Sequence, residues 1–341
     1  MAYKKWLLIF FLSIICFIVP TVSYLMYSNY KIDPLWNFTH ANAYNSVQIG
    51  FDERQQKANY MVNHPVNYDS LLLGTSRVTY MNEQTFTKND VYNFSVSALA
   101  SAEYAAFANF AVKQHHKPFK HVYAEAYFSM FDSVAPATEP SVYFDKATNP
   151  LYRFTSLFSA STTERAQANK AYSLQQNYQG PRAYNRNNIA TAHIDNSQLL
   201  ASLDDLPALV ASKKYVYDEN FMRNMQDFKQ QVAPSDLTIF AAPMLADRLK
   251  LTLQDDTNWQ HFTRWFTELI AVFGEVQSFQ LINDYTSNYD LWFDTLHYYP
   301  EFGDVMIEQL EATEKNPTIC FTVTAATLDE YFALLAQQVG R

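Results

Sequence analysis

The N-terminus is the strongest constraint on what this chain can fold into. From Trp6 to Tyr30 the stretch "WLLIFFLSIICFIVPTVSYLMYSNY" carries no charged residue. A helix of roughly 20 apolar residues crosses a bilayer, where each backbone polar group must be satisfied internally. A cleaved signal peptide has a shorter apolar region and a small-x-small cleavage site. This run is longer and ends in Tyr24, Tyr27 and Tyr30, which suit an interfacial aromatic belt. Residues 1–30 are therefore expected to form one transmembrane anchor, with Pro20 tolerated inside it. Lys4 and Lys5 precede the span and only Lys31 follows soon after. That bias puts the N-terminus in the cytoplasm and the body of the protein outside, in a periplasm or on a cell surface.

The remaining chain has enough length to bury a large core. Aromatic residues make up 16% of the sequence and glycine is scarce, with 6 in total, which argues for a packed globular body and against disorder. Packing accounts for most of these rings, and a groove that stacks on sugars is their other use. The net charge of −9 gives no basic face for nucleic acid. Cys16 lies inside the apolar run and Cys320 near the C-terminus, so no disulfide framework is expected.

The organisation expected after the anchor is as follows. Residues 31–67 read as a linker with a short helix, and 68–317 as an α/β domain. Strands are expected at 68–73, 90–99, 121–131, 237–244 and 276–283, separated by helical spacing such as Tyr104, Phe107, Ala108, Ala111 and Val112. A helical stretch is expected after Arg77 and another at about 213–232. Strand alternating with helix implies βαβ units and a mostly parallel sheet buried on both faces. Residues 132–205, rich in Ser, Thr, Asn, Pro and Gln, read as an insertion, and 318–341 as a tail with a short strand and a helix.

Two short stretches carry the candidate chemistry. In "LLLGTSR" a buried strand ends and the chain turns through Gly74, Thr75, Ser76 and Arg77. Ser76 is then either the cap of a following helix or a nucleophile held above the sheet. In "FDTLHYYPEFG", Asp294 precedes His297 by three residues, just before a helix that Pro300 begins. That spacing lets a carboxylate hold one imidazole nitrogen while the other accepts a proton from a hydroxyl, the activation a serine needs. The same pair is also compatible with a capping carboxylate beside a surface histidine. Loops that follow parallel strands gather at one sheet edge, so Ser76 and the Asp294–His297 pair can converge there. Arg77 is a candidate for binding an anionic substrate or for pairing with a buried carboxylate.

The pairing of an early strand-Gly-x-Ser turn with a late Asp-x-x-His resembles the SGNH (GDSL-type) hydrolase superfamily. Through "LLLGTSR", "VYNFSVSA" and "FDTLHYYPEFGDVM" it is most similar to membrane-anchored bacterial members that handle acyl groups on cell-envelope polymers, such as D-alanyl-transfer and alginate-type O-acetylation proteins. The resemblance implies a three-layer α/β/α, flavodoxin-like domain. It implies Ser76 as nucleophile, His297 as base and Asp294 as orienting acid, with the backbone N–H groups of Ser76 and Ser97 in the oxyanion hole. The usual Gly-Asp-Ser is Gly-Thr-Ser here, and the family's third-block asparagine has no match in "AEAYFSMF". The implied activity is an esterase or O-acyltransferase acting on an acylated cell-envelope or exported polysaccharide at the bacterial cytoplasmic membrane. A membrane-bound O-acyltransferase is the implied donor partner. The competing expectation is a non-catalytic body of the same fold that assists polysaccharide assembly. No HExxH, CxxC or phosphate-cradling glycine loop occurs, so neither a metal nor a nucleotide cofactor is expected.

Overall fold

The structure, a computed structural model, describes residues 2–65, 67–133 and 139–341. The apolar run forms one helix, Ala2–Ile32, and the stretch Tyr3–Ile32 is long and apolar enough to cross a membrane. Its most apolar window is uncovered by protein, with Phe17 75% exposed, as expected of a surface that lipid would bury.

One compact unit takes residues up to Pro65 together with Val142–Gln179 and Ala183–Asn188. Burial begins at the last turns of the apolar helix, where Asn29 donates to the Leu157 carbonyl and to Thr163 Oγ1, both at 2.8 Å. The irregular backbone that follows has no strand ladder to satisfy its carbonyls, and buried amides do so instead. Gln48 donates to the Ile32 carbonyl, Gln56 to that of Pro34 and Asn59 to that of Leu35. Asp33 accepts from the N–H groups of Asn37 and Phe38 and pairs with Arg186 at 2.7 Å. Burial raises its carboxyl to about 6 against the pull of Arg186. Residues 31–65 are thus a packed segment with a helix at Glu53–Asn63. Residues 142–179, from the middle of the expected insertion, contribute the helix Ala160–Gln175, which packs on the end of the apolar helix.

The strands in chain order are β1 Gln48–Ile49, β2 Ser70–Leu73, β3 Val91–Asn93, β4 His121–Ala126, β5 Gly180–Tyr184, β6 Ala190–His193, β7 Asp236–Ala241, β8 Glu275–Ser278 and β9 Phe321–Thr324. In the first unit β1 pairs antiparallel with the end of β5 through Gln48–Tyr184 and Ile49–Ala183. The second unit is built on a sheet of order β3-β2-β4-β7-β8-β9, parallel except where β9 runs antiparallel to β8. This is a mixed α/β architecture with a mostly parallel sheet, as the alternation of strands and helices implies.

The strands are buried on both faces, so they read as continuous apolar runs. Leu71, Leu72 and Leu73 are each 0% exposed, and burying one such side chain is worth about 1.5–3 kcal/mol. Covering helices show the opposite, 3.6-residue pattern: Phe221, Met225, Phe228 and Val232 are the buried positions of Phe221–Val232. Asp255 caps the helix Asp256–Phe273 by accepting the Asn258 N–H at 2.9 Å. The tail supplies β9 and the helix Leu328–Val339, whose Tyr331 hydroxyl meets Ser278 Oγ at 2.6 Å.

Several local expectations change: β4, β7 and β8 end at Ala126, Ala241 and Ser278, short of 131, 244 and 283, and the helix expected at 213–232 begins at Phe221. The stretch after Arg77 forms the 3₁₀ turns Val78–Tyr80 and Glu83–Thr85, without an α-helix. The cause is Asn93, fully buried, whose amide donates to the carbonyls of Val78 and Met81 at 2.9 and 3.0 Å. β3 is also shorter than the expected 90–99, ending at Asn93, whose Oδ1 accepts the Ser95 N–H at 3.0 Å.

Candidate active site

The parallel strands present their carboxyl ends at one edge of the sheet, and β2 lies between β3 and β4. The chain therefore leaves β2 at a point where the strand order reverses, the usual position of a crevice in open α/β sheets. The turn Gly74–Arg77 occupies it. Glu125, in β4, holds this turn from beneath. Its Oε2 accepts the Thr75 N–H at 2.6 Å and its Oε1 pairs with Arg77 Nη2 at 3.1 Å, both side chains being buried. Gly74 is required for that closeness, since an added Cβ would stand 2.6 Å from Val78 Cγ2 and 2.8 Å from Glu125 Cβ.

The second half of the site is a loop closed by a Trp292–Tyr298 bridge. Asp294 Oδ1 accepts the N–H groups of Leu296 and His297, each at 2.7 Å, which fixes the loop around the carboxylate. Asp294 Oδ2 lies 2.7 Å from His297 Nδ1. A carboxylate only accepts, so Nδ1 carries a proton, and in the neutral ring Nε2 is then the nitrogen with the lone pair. Burial pushes the Asp294 carboxyl up, but His297 and the two backbone donors outweigh it and hold the group below the usual carboxylate range. Phe293 stacks on the imidazole, with ring centroids 5.6 Å apart and planes 7° from parallel.

The two halves meet. Ser76 Oγ lies 2.8 Å from His297 Nε2, across 221 residues of sequence. Ser76 is not a helix cap: the following 3₁₀ turn, Val78–Tyr80, has Arg77 at its N-cap position and no side-chain cap bond. Close approach of the two halves depends on Gly303 in the helix Pro300–Glu311, where a Cβ would stand 2.7 Å from the Tyr80 carbonyl oxygen.

A cavity of about 280 Å³ opens beside Ser76 and His297, walled further by Thr75, Ser129, Tyr215 and Arg248. Arg77 also lines it, and its guanidinium pairs with the buried carboxylate of Glu125. The Ser97 hydroxyl accepts from Arg182 Nη2 at 2.5 Å, and the adjacent Ala98, at φ 50°, lines the cavity. After β4 the wall is Tyr127, Phe128 and Ser129, with Ser129 at φ 83°.

Arg182 is a site residue that sequence reading missed. From its place in β5 it donates to the Ser76 carbonyl and to Thr79 Oγ1, both at 3.1 Å, as well as to Ser97. It ties the two turns after β2 and β3 together. In "YQGPRAY" nothing but a turn signal marks it. Glu125 and Arg248 were also passed over, one inside a strand and one on a helix of ordinary amphipathic pattern.

The Ser–His–Asp chain has the distances of a nucleophile, a general base and an orienting acid. In comparisons with known proteins, no protein-family model matches the chain and no curated protein matches it.

Proposed function

We propose that this protein is a membrane-anchored serine esterase or O-acyltransferase of SGNH type. Its substrate would be an acyl ester, acetyl above all, of a cell-envelope or exported polysaccharide. The observation that carries the reading is the continuous hydrogen-bonded path from Ser76 Oγ through His297 to Asp294, at 2.8 and 2.7 Å. In this reaction Ser76 Oγ attacks the ester carbonyl carbon while His297 Nε2 takes the hydroxyl proton. Asp294 stabilises the imidazolium that forms. The C–O bond of the ester breaks, the departing alkoxide takes the proton from Nε2, and the acyl group stays on Ser76. The oxygen of water or of an acceptor hydroxyl then attacks the acyl carbon as its proton passes to His297 Nε2, the bond from the acyl carbon to Ser76 Oγ breaks, and Oγ takes the proton back from Nε2. The Ser76 N–H, in a turn held by Glu125, faces the developing oxyanion. Lys4 and Lys5 support an orientation with the N-terminus in the cytoplasm and the catalytic body outside. A membrane-bound O-acyltransferase as acyl donor is part of the same proposal, resting on the family resemblance.

The test uses the full chain in detergent with a fluorophosphonate probe and with p-nitrophenyl acetate. Labelling and ester cleavage that vanish in Ser76→Ala are the expected result. Labelling that survives the substitution assigns the nucleophile elsewhere. A native chain that neither labels nor cleaves overturns the reading in favour of a non-catalytic assembly role.

A further inference from the structure

The cavity beside Ser76 contains a cation that the acyl-transfer steps do not use. Arg248 sits in the first turn of the helix Ala246–Gln254, is 7% exposed, and lines the cavity with Tyr215 and His297. Its Nη1 donates to Thr295 Oγ1 at 2.8 Å, and the Tyr215 hydroxyl lies beside the same guanidinium. Both partners are neutral. Among the described residues no carboxylate comes within ion-pair distance of it, whereas Arg77 in the same wall is matched by Glu125 at 3.1 Å.

Two acids stand near without pairing with it, Asp294 and, in the same cavity wall, Asp132. Asp294 is bound to His297, and Asp132 accepts the Val216 N–H at 3.1 Å. Burial disfavours the Arg248 cation, and Tyr215 and Asp294 oppose that only in part. A buried guanidinium without a counter-charge is costly, and its N–H fork matches a carboxylate or phosphate group. A second donor stands in the same wall: the Thr75 hydroxyl is buried with no hydrogen-bond partner among the described residues.

We propose that Arg248 and the Thr75 hydroxyl form an anion subsite in this cavity, which binds a carboxylate or phosphate substituent of the molecule whose ester Ser76 attacks. The subsite rests on the esterase reading for its place in the reaction, but its anion preference stands on its own geometry. A neutral ester would leave the guanidinium unpaired, so the charged substituent decides which esters are held next to the nucleophile.

The experiment measures binding to the full chain in detergent, in a Ser76→Ala background so that no turnover interferes. The probes are D-glucuronate and sn-glycerol 3-phosphate, each against its neutral counterpart, D-glucose and glycerol. The charged member of at least one pair is expected to bind about tenfold tighter or more, the discrimination a charge-assisted hydrogen-bond pair supplies. Which pair shows it separates carboxylate from phosphate. Arg248→Gln should abolish the preference and Arg248→Lys, which keeps the charge without the fork, should retain part of it. Equal binding of charged and neutral probes overturns the proposal, as does a folded Arg248→Gln protein that still prefers the anion. Absent fluorophosphonate labelling of the native chain, with the anion preference intact, removes the esterase reading and leaves the anion site standing.

Discussion

Replacing Asp294 by asparagine separates the proton chemistry of the relay from its scaffold. In the native loop Oδ1 accepts two backbone N–H groups at 2.7 Å each, and an asparagine oxygen can keep both. The amide nitrogen then takes the place of Oδ2, 2.7 Å from His297 Nδ1. As a donor it makes Nδ1 the acceptor and moves the imidazole proton to Nε2. Nε2–H then points at Ser76 Oγ, 2.8 Å away, with no lone pair to receive the hydroxyl proton. The imidazolium also loses its counter-charge. Together these cost about 10⁴-fold in rate where geometry is otherwise intact, about 5.5 kcal/mol of transition-state stabilisation. The second-order rate of fluorophosphonate labelling at pH 7 should fall by about 10³- to 10⁴-fold. Stability should change little, because the Asp294 side chain is 47% exposed. The sign of the pH dependence follows from its depressed carboxyl: the stabilisation is present above the ordinary aspartate pKa and is lost as pH falls through the lower folded value. Any small difference between native and variant melting should therefore shrink as pH falls below the ordinary aspartate value of about 4. Labelling within about tenfold of native, in a variant with native melting, would remove Asp294 from the relay.

Other substitutions test the supports around Ser76. Gly74→Ala places a methyl 2.6 Å from Val78 Cγ2 and 2.9 Å from Glu125 Oε2, so melting should show a loss of about 1–3 kcal/mol from overpacking. Its labelling rate should fall as well, because Glu125 can no longer hold the Thr75 N–H. Arg182→Ala removes one of the ties between the turns after β2 and β3, and labelling should slow by about 10- to 100-fold through misplacement of Ser76. A circular dichroism spectrum unchanged from native would show that this loss comes from positioning. Cys320 is buried and its thiol is pushed up to about 12 by desolvation. At pH 8 about one thiol in 10⁴ is ionised, so iodoacetamide should modify Cys320 only after unfolding. Mass spectrometry with and without urea reads this directly.

What could be read in the sequence depended on how local its cause was. The apolar helix is set by its own composition, and β2, β4 and β7 by short apolar runs that no neighbour has to complete. Asp294 and His297 lie within one loop, so their spacing already contains most of their geometry. The meeting of Ser76 with His297 spans 221 residues, yet a general rule covers it, because loops after parallel strands share one sheet edge. Polar side chains that act across elements have no such rule. Asn93 reads as an ordinary strand residue, but its amide takes the carbonyls of Val78 and Met81 and turns an expected helix into 3₁₀ turns. Glu125 interrupts an apolar run, and only its position beneath Gly74 shows why a charge is buried there. Arg182 and Arg248 look like surface cations, since a charge in a turn or on an amphipathic helix carries no mark of what it faces. Their roles become visible only once the strand order decides which loops meet. The relay was therefore legible as a constellation, whereas the residues that hold it and shape its cavity depend on contacts that no local pattern records.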